Sequence, residues 1–111
     1  MRLSCSAGAS PTTPILRRKN VDLDGIDAWE INEAFASQAL YSIRTLGIED
    51  QMDRININGG AIALGHPLGC TGAKLCATLL ANMQRKGEKY GVESMCIGGG
   101  MGAAALFELC D

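Results

Sequence analysis

Apolar and polar positions alternate along the chain with a helical period in two stretches, which predict two helices set between short strands. In the first stretch Asn32 suits an N-cap and Gly47 suits the position after the last turn. The second stretch begins near Thr71, another fair N-cap, and stops by Gly87. The apolar residues of the two stretches are Phe35, Ala36, Ala39, Leu40, Ile43 and Leu46, then Leu75, Cys76, Leu79, Leu80 and Met83.

Four short segments have the composition of strands. The first follows a turn within residues 24–31, and the second covers residues 54–57. Residues 90–97 are apolar enough to lie inside a sheet, and residues 103–109 follow them across a glycine turn, which favours an antiparallel pair. The order βαβαββ predicts an α/β fold in which helices pack on a mixed β-sheet.

The first 20 residues show no clean period. We expect Pro11 and Pro14 to break any helix there. The pattern therefore divides the chain into an irregular or degraded segment, residues 1–21, and a folded domain, residues 22–111.

Composition narrows the class of protein. The 111 residues are 47% hydrophobic and 20% charged, which is typical of one globular domain. The net charge of −2 gives no basic face for nucleic acid, and no apolar run reaches membrane-spanning length. Five cysteines without a CxxC pair, beside one histidine, favour neither a zinc site nor a disulfide framework.

The glycine-rich segment Gly59–Gly69 holds the chain's one histidine, His66. Pro67 restricts the backbone of His66 to extended or turn conformations, and the glycines permit close approach of another group. An imidazole can exchange a proton near neutral pH. The segment is either a site built around a held base or a structural turn with an incidental histidine.

Two further positions could carry chemistry. Cys96 lies near the end of a strand with the apolar composition of a buried strand, two residues before Gly98. Its thiol is either an inert core group or a reactive group beside the unhindered backbone N–H of Gly98. Asn32 is either a plain N-cap or a residue that holds a water or orients the imidazole.

Taken together, three motifs resemble the C-terminal part of thiolases. They are Asn-Glu-Ala-Phe at residues 32–35, Asn-Gly-Gly-Ala-Ile-Ala-Leu-Gly-His-Pro-Leu-Gly at residues 58–69, and Cys-Ile-Gly-Gly-Gly-Met-Gly at residues 96–102. The resemblance covers residues 22–108 and implies the C-terminal half of the thiolase fold. It also implies an acyl-CoA C-acyltransferase, which cleaves 3-ketoacyl-CoA with CoA or condenses two acyl-CoAs.

The resemblance assigns roles to five residues. Cys96 matches the acid/base cysteine, and His66 matches the histidine that activates a second, nucleophilic cysteine. Asn32 matches the asparagine whose water completes an oxyanion hole with that histidine. Gly98 matches the N–H donor of a second oxyanion hole, and Gly65 is expected to line the substrate site. Coenzyme A is then a substrate, and no bound cofactor or metal is implied.

The family's nucleophilic cysteine belongs to an N-terminal half that has no match in these 111 residues; the stretch Cys5–Gly8 echoes its setting only faintly. We therefore expect the chain to be inactive alone, and to form a homo-oligomer or pair with a thiolase N-terminal half. We expect it to be intracellular, in the cytoplasm, mitochondrion or peroxisome. One alternative is a non-catalytic thiolase remnant that binds CoA or serves assembly. Another is a flavodoxin-like domain with an anion site at the Thr71 helix.

Overall fold

The computed structural model describes residues 12–110 as three strands and four α-helices joined by loops and two 3₁₀ segments. The strands are β1 (Ala28–Ile31), β2 (Tyr90–Gly98) and β3 (Met101–Glu108), and the helices are α1 (Thr12–Lys19), α2 (Ala36–Leu46), α3 (Ala61–Leu64) and α4 (Thr71–Lys86). The 3₁₀ segments are Leu23–Gly25 and Glu49–Arg54. Within this part of the chain no helix has the length and hydropathy needed to cross a membrane.

The sheet has the order β1-β2-β3, with β1 parallel to β2 and β2 antiparallel to β3. Gly99 and Gly100 join β2 to β3 with φ of 58° and 77°, a turn in which both residues need the left-handed region. The predicted mixed sheet is confirmed. A strand over residues 54–57 is wrong, because Glu49–Arg54 is a 3₁₀ segment and Ile55 makes only an isolated parallel bridge to Trp29.

Each face of the sheet packs against different helices. On one face Ala28 of β1 packs with Leu79 and Met83 of α4. The other face carries the larger core, whose buried members are Leu16, Ile26, Trp29, Ile31, Ile43, Leu46, Ile48, Ile55 and Val92. All four residues of β1 are buried, as expected for a parallel strand covered on both sides.

Gly91 lets α4 approach the sheet closely. A Cβ atom at this position would lie 2.5 Å from Met83 Sδ and 2.9 Å from Leu79 Cδ1. Because both neighbours are buried side chains, the added methyl group would force α4 away from β2.

Replacing Gly91 by alanine is therefore expected to destabilise the chain by about 1–3 kcal/mol, the usual cost of overpacking a core. Urea denaturation followed by circular dichroism measures the change. Gly25→Ala is the matched control, since its Cβ would come no closer than 3.9 Å to Val21 Cγ1. Equal midpoints for the two variants would contradict the packing argument.

The helix boundaries correct three expectations. α1 forms although it contains Pro14, because Pro14 occupies its first turn, where the N–H has no intrahelical partner; Pro11 and the rest of residues 1–11 lie outside the described residues. α2 begins at Ala36 with Phe35 as N-cap, so Asn32 is not the cap; its N–H donates to Ser94 O and extends the sheet. α4 has Cys70 at the N-cap position, with Thr71 as its first helical residue. The left-handed glycine predicted after α2 is confirmed at Gly47, and Gly87 plays the same part after α4.

Candidate functional site

The candidate residues gather at one edge of the sheet. The carboxyl ends of β1 and β2 lie together because the two strands are parallel. The start of α4 lies at the same edge, since a Cβ on Gly72 would be 3.1 Å from Met95 Cε of β2. This edge therefore collects Asn32 after β1, His66 before α4, and Cys96 near the end of β2.

His66 is held between two side chains. Its Nδ1 lies 2.6 Å from Thr71 Oγ1, and its Nε2 lies 3.4 Å from Asn32 Nδ2. The Thr71 hydroxyl donates to Pro67 O at 2.9 Å, so its oxygen can only accept from the ring. In the neutral imidazole the proton therefore sits on Nδ1, and the Nε2 lone pair faces Asn32. Such a ring can take up a proton at Nε2.

The loop before His66 is anchored by a lysine. Lys74 Nζ donates to Gly65 O at 2.6 Å, and Gly65 N–H donates to Ala61 O at 2.8 Å. Gly65 has a φ of 95°, a conformation that favours glycine. Because its N–H is already bonded, Gly65 can shape the approach to His66 but does not offer that N–H to an oxyanion.

Asn32 is almost fully buried, at 1% exposure, and its Oδ1 has no hydrogen-bond partner within residues 12–110. A buried amide oxygen without a donor is costly unless something else supplies one. The free Oδ1 beside the imidazole is therefore a place where a donor group would be stabilised.

Cys96 lies at the same edge of the sheet as Asn32 and His66, but its side chain is on the face turned away from α4. Gly91 and Met95 of β2 face α4, so the alternation of side chains turns Cys96 toward the opposite face, which carries Val92. The thiol is half-buried, and within the described residues it makes no hydrogen bond. The structure thus brings Asn32 and His66 into contact, while a shared pocket for His66 and Cys96 stays a prediction.

Gly98 lies two residues beyond Cys96 at an irregularity of the β2–β3 register. It is exposed, has a φ of 99°, and a Cβ there would meet nothing within 4 Å. Its backbone is therefore open to close approach from outside the chain.

Two glutamates face α4 from neighbouring strands. Glu30 lies opposite Glu93 in the β1–β2 register, and Glu30 is only 2% exposed. Burial raises the pKa of Glu30 from 4.5 to about 7; the Lys74 charge opposes this rise, and Glu33 and Glu93 reinforce it. Burial also raises the pKa of Glu93. The carboxyl groups on this face of the sheet thus stay protonated to a higher pH than ordinary carboxyl groups do.

The Glu30 carboxyl should make stability fall as the pH rises. Below about pH 4.5 the group is protonated in both the folded and the unfolded chain, so its neutral form adds no penalty. Between that pH and about 7 the unfolded chain ionises first, and on the order of 3 kcal/mol of stability is lost. We expect Glu30→Gln to remove this loss. The stability of the variant relative to the unaltered chain should therefore increase from pH 5 to pH 8, as measured by urea denaturation at both pH values.

Exposed Glu49 supplies the control for that measurement. Glu49→Gln should leave the pH dependence of stability unchanged. If the stability difference between Glu30→Gln and the unaltered chain is the same at both pH values, Glu30 is not the buried proton-holding group.

Sequence reasoning missed four residues that build the site: Glu33, Asn56, Thr71 and Lys74. Glu33 entered only as part of the Asn-Glu-Ala-Phe motif, Thr71 was interpreted as the start of a helix, and Lys74 and Asn56 were not singled out. Asn56 has a φ of 49°, and asparagine is among the few residues that tolerate this region. The signal for Asn56 was weak: asparagine is common in turns and tolerates the left-handed region.

No cluster of three or more histidine, cysteine or acidic side chains suited to a metal occurs within residues 12–110. The chemistry available at the edge is that of an imidazole whose Nε2 lone pair faces a buried amide at 3.4 Å, and of a thiol at the end of β2.

The sequence of this chain is similar to those of known proteins. Residues 4–109 match a family model described as the thiolase C-terminal domain. The chain is 58% identical over 95 residues to 3-ketoacyl-CoA thiolase of Bacillus subtilis (strain 168), covering 86% of this chain and 24% of that protein. It is also 58% identical over 94 residues to the peroxisomal 3-ketoacyl-CoA thiolase B of Rattus norvegicus, covering 84% of this chain and 22% of that protein.

A solved structure has the same fold. The human mitochondrial 3-ketoacyl-CoA thiolase in complex with CoA superposes with a TM-score of 0.92 at 39% identity, covering 97% of this chain and 27% of that one. The chain thus spans about a quarter of the length of these relatives. This likeness, with the antiparallel β3, argues against a flavodoxin-like domain.

Proposed function

This chain belongs to the thiolase family as its C-terminal domain, and from that membership we propose that it supplies one half of an acyl-CoA C-acyltransferase active site. The reaction is thiolytic cleavage of a 3-ketoacyl-CoA by CoA, or the reverse Claisen condensation of two acyl-CoAs. Coenzyme A is a substrate of this reaction rather than a resident cofactor. The human relative whose structure contains CoA supports CoA as the ligand class.

The observation that carries the proposal is the Asn32–His66–Thr71 chain of contacts. Thr71 keeps the ring proton on Nδ1, so the Nε2 lone pair, whose contact with Asn32 Nδ2 is long at 3.4 Å, can accept the proton of a thiol. A thiol with an ordinary pKa near 8.5 is mostly protonated at neutral pH, so such a base raises the fraction of thiolate. The thiolate then attacks a thioester carbonyl, a new C–S bond forms as the C–S bond to CoA breaks, and the protonated ring gives its proton to the leaving CoA thiolate.

Oxygen charge develops on the carbonyl during that attack. A protonated Nε2 and a water donating from beside Asn32 are suited to stabilise it. Gly98, with its open backbone, is suited to donate to the oxygen of the enolate formed when Cys96 takes a proton from the α-carbon of an acetyl group. In that step the α-carbon loses its proton to the Cys96 thiolate, which becomes a thiol, and the reverse transfer returns the proton to carbon and restores the thiolate.

The surface around these loops favours a protein partner. Several large apolar side chains are solvent-exposed in the 12–110 structure: Phe35, Leu40, Tyr41, Met52, Ile62, Leu64, Leu68, Ile97 and Met101. Leu68, two residues after His66, is 87% exposed. Of these apolar side chains, Leu40, Met52 and Ile62 line one groove, and contiguous apolar surface marks interaction sites. A thiolase N-terminal half, or a second copy of this chain, would cover it and complete the site.

The proposal predicts that the 111-residue chain alone does not turn over acetoacetyl-CoA and CoA, because no nucleophilic cysteine of the family is matched in it. A chimera of the Bacillus subtilis relative, in which its matched 95 residues are replaced by those of this chain, should recover thiolysis. Loss of absorbance of the acetoacetyl-CoA enolate measures the rate.

Two outcomes contradict the proposal. Turnover by the chain alone at rates of a complete enzyme would show that no second half is needed. A chimera that folds and binds CoA but has no activity would favour the alternative, a non-catalytic remnant that binds CoA or serves assembly. The proposed setting is intracellular, in line with the rat relative that is named peroxisomal.

A further inference from the structure

Asn56 holds the end of β1 in a fixed orientation. Its Oδ1 accepts from Ile31 N–H at 2.8 Å, and its Nδ2 donates to Ile31 O at 2.8 Å. Because one backbone group is a donor and the other an acceptor, the amide cannot be flipped without losing both bonds. The second proton of Nδ2 therefore points in a fixed direction and needs an acceptor.

Glu33 supplies that acceptor and a second one. Its Oε1 accepts from Asn56 Nδ2 at 2.9 Å, and its Oε2 accepts from Ile62 N–H at 3.1 Å. Ile62 is the second residue of α3, where the backbone N–H has no partner inside the helix. One carboxylate thus joins the end of β1 to the start of α3.

Gly60 makes room for this carboxylate. A Cβ atom at Gly60 would overlap the Glu33 carboxyl group, and Gly60 is itself buried. The position of Glu33 against the loop is therefore set by shape as well as by hydrogen bonds.

The two ends that Glu33 joins carry the two reactive partners. Asn32 directly precedes Glu33, and His66 follows α3 after Gly65. We propose that Glu33 is a positioning residue that sets the Asn32–His66 contact by bonding Asn56 and Ile62 at the same time; its effect on turnover rests on the function proposed above. The Asn32 Nδ2–His66 Nε2 distance is already long for a hydrogen bond, at 3.4 Å, so a small displacement of either residue breaks the contact.

A glutamine cannot replace the carboxylate in this role. Its side chain has one acceptor and one donor end, whereas Asn56 and Ile62 both donate. Either orientation of the amide leaves one donor facing another. Glu33→Gln is therefore nearly isosteric but should uncouple the end of β1 from α3.

The test uses the chain's single histidine, whose ring signals are unambiguous in NMR spectra. In the unaltered chain a nuclear Overhauser contact should join the Asn32 side-chain amide protons and the His66 ring protons. Glu33→Gln should abolish this contact while the backbone amide signals of β2 and β3 keep their positions. Glu49→Gln, the same change at an exposed glutamate, should keep the contact.

The catalytic consequence is measured separately in the Bacillus subtilis chimera. There Glu33→Gln should lower kcat on the order of tenfold to a hundredfold with little change in KM, as expected when a reacting group is misplaced. If Glu33→Gln abolishes the contact but leaves kcat of the active chimera unchanged, the Asn32–His66 contact has no catalytic role. A contact that persists in Glu33→Gln would overturn the positioning role whatever the chimera does.

A measurement on the unaltered chain covers the case in which Glu33→Gln does not fold. Hydrogen exchange of the Ile62 amide should be at least about tenfold slower than that of an open amide, because the Glu33 carboxylate accepts its proton. Exchange at the rate of an open chain would overturn the proposal.

Discussion

Replacing Cys96 by alanine in the Bacillus subtilis chimera is expected to lower kcat for acetoacetyl-CoA thiolysis by about a thousandfold. General acid–base groups contribute on the order of 10²–10⁴-fold, and alanine can neither give nor take the α-proton. Steady-state assays measure the change. The rate of deuterium uptake by the methyl group of acetyl-CoA should fall to a similar extent, because that exchange needs the same thiol.

Cysteine controls are available within the chain. Cys110 is exposed and follows β3, so Cys110→Ala should leave kcat unchanged. The Cys96 result decides a question of placement, since the thiol lies on the face of β2 turned away from α4 while His66 precedes α4. A Cys96→Ala chimera with full activity would show that the thiol belongs to the core and not to the site.

Replacing Trp29 by alanine is expected to remove a large part of the stability of the isolated chain. Trp29 is 1% exposed in the middle of β1, and its Nε1 donates to Gln51 Oε1 at 3.2 Å. Truncating a buried aromatic residue costs about 3–5 kcal/mol, and the buried Gln51 oxygen would lose its donor as well. A domain of this size has a total stability on the order of 5–15 kcal/mol.

Urea denaturation followed by circular dichroism measures that loss, with Tyr41→Ala as the control. Tyr41 is an aromatic residue of similar size that is 51% exposed on α2, so its loss should change stability by less than about 0.5 kcal/mol. A Trp29→Ala variant that unfolds at the same urea concentration as Tyr41→Ala would show that the core is not organised around this side chain.

Much of the fold follows from local patterns. The α4 stripe, the two glycine helix ends and the β2–β3 hairpin were all predicted, because helical spacing, left-handed glycines and a double-glycine turn act over a few residues. The strand predicted around Ile55 failed because a single bridge to Trp29 replaces a ladder there. The N-terminal helix was missed because a proline in a first turn costs no hydrogen bond.

The site was predictable only in part. The roles of His66 and Cys96 came from motif resemblance, and those roles stay predictions. The Thr71 contact depends on a ring orientation that no spacing reveals. The Asn56–Glu33 link joins residues 23 positions apart, and the Asn56 bonds to Ile31 span 25. Such distant polar contacts follow from the register of the folded chain rather than from a period.

The short glycine turn between β2 and β3 also bears on the order in which the chain can assemble. β2 meets β3 by closing a loop of two residues, so this hairpin needs no other part of the molecule. β1 meets β2 only after the whole stretch from Asn32 to Lys89 has been brought round, and the entropy lost in closing a loop grows with its length. Loop-closure entropy therefore costs more for the parallel pairing than for the hairpin, and during synthesis β1 is made before the strand that it pairs with.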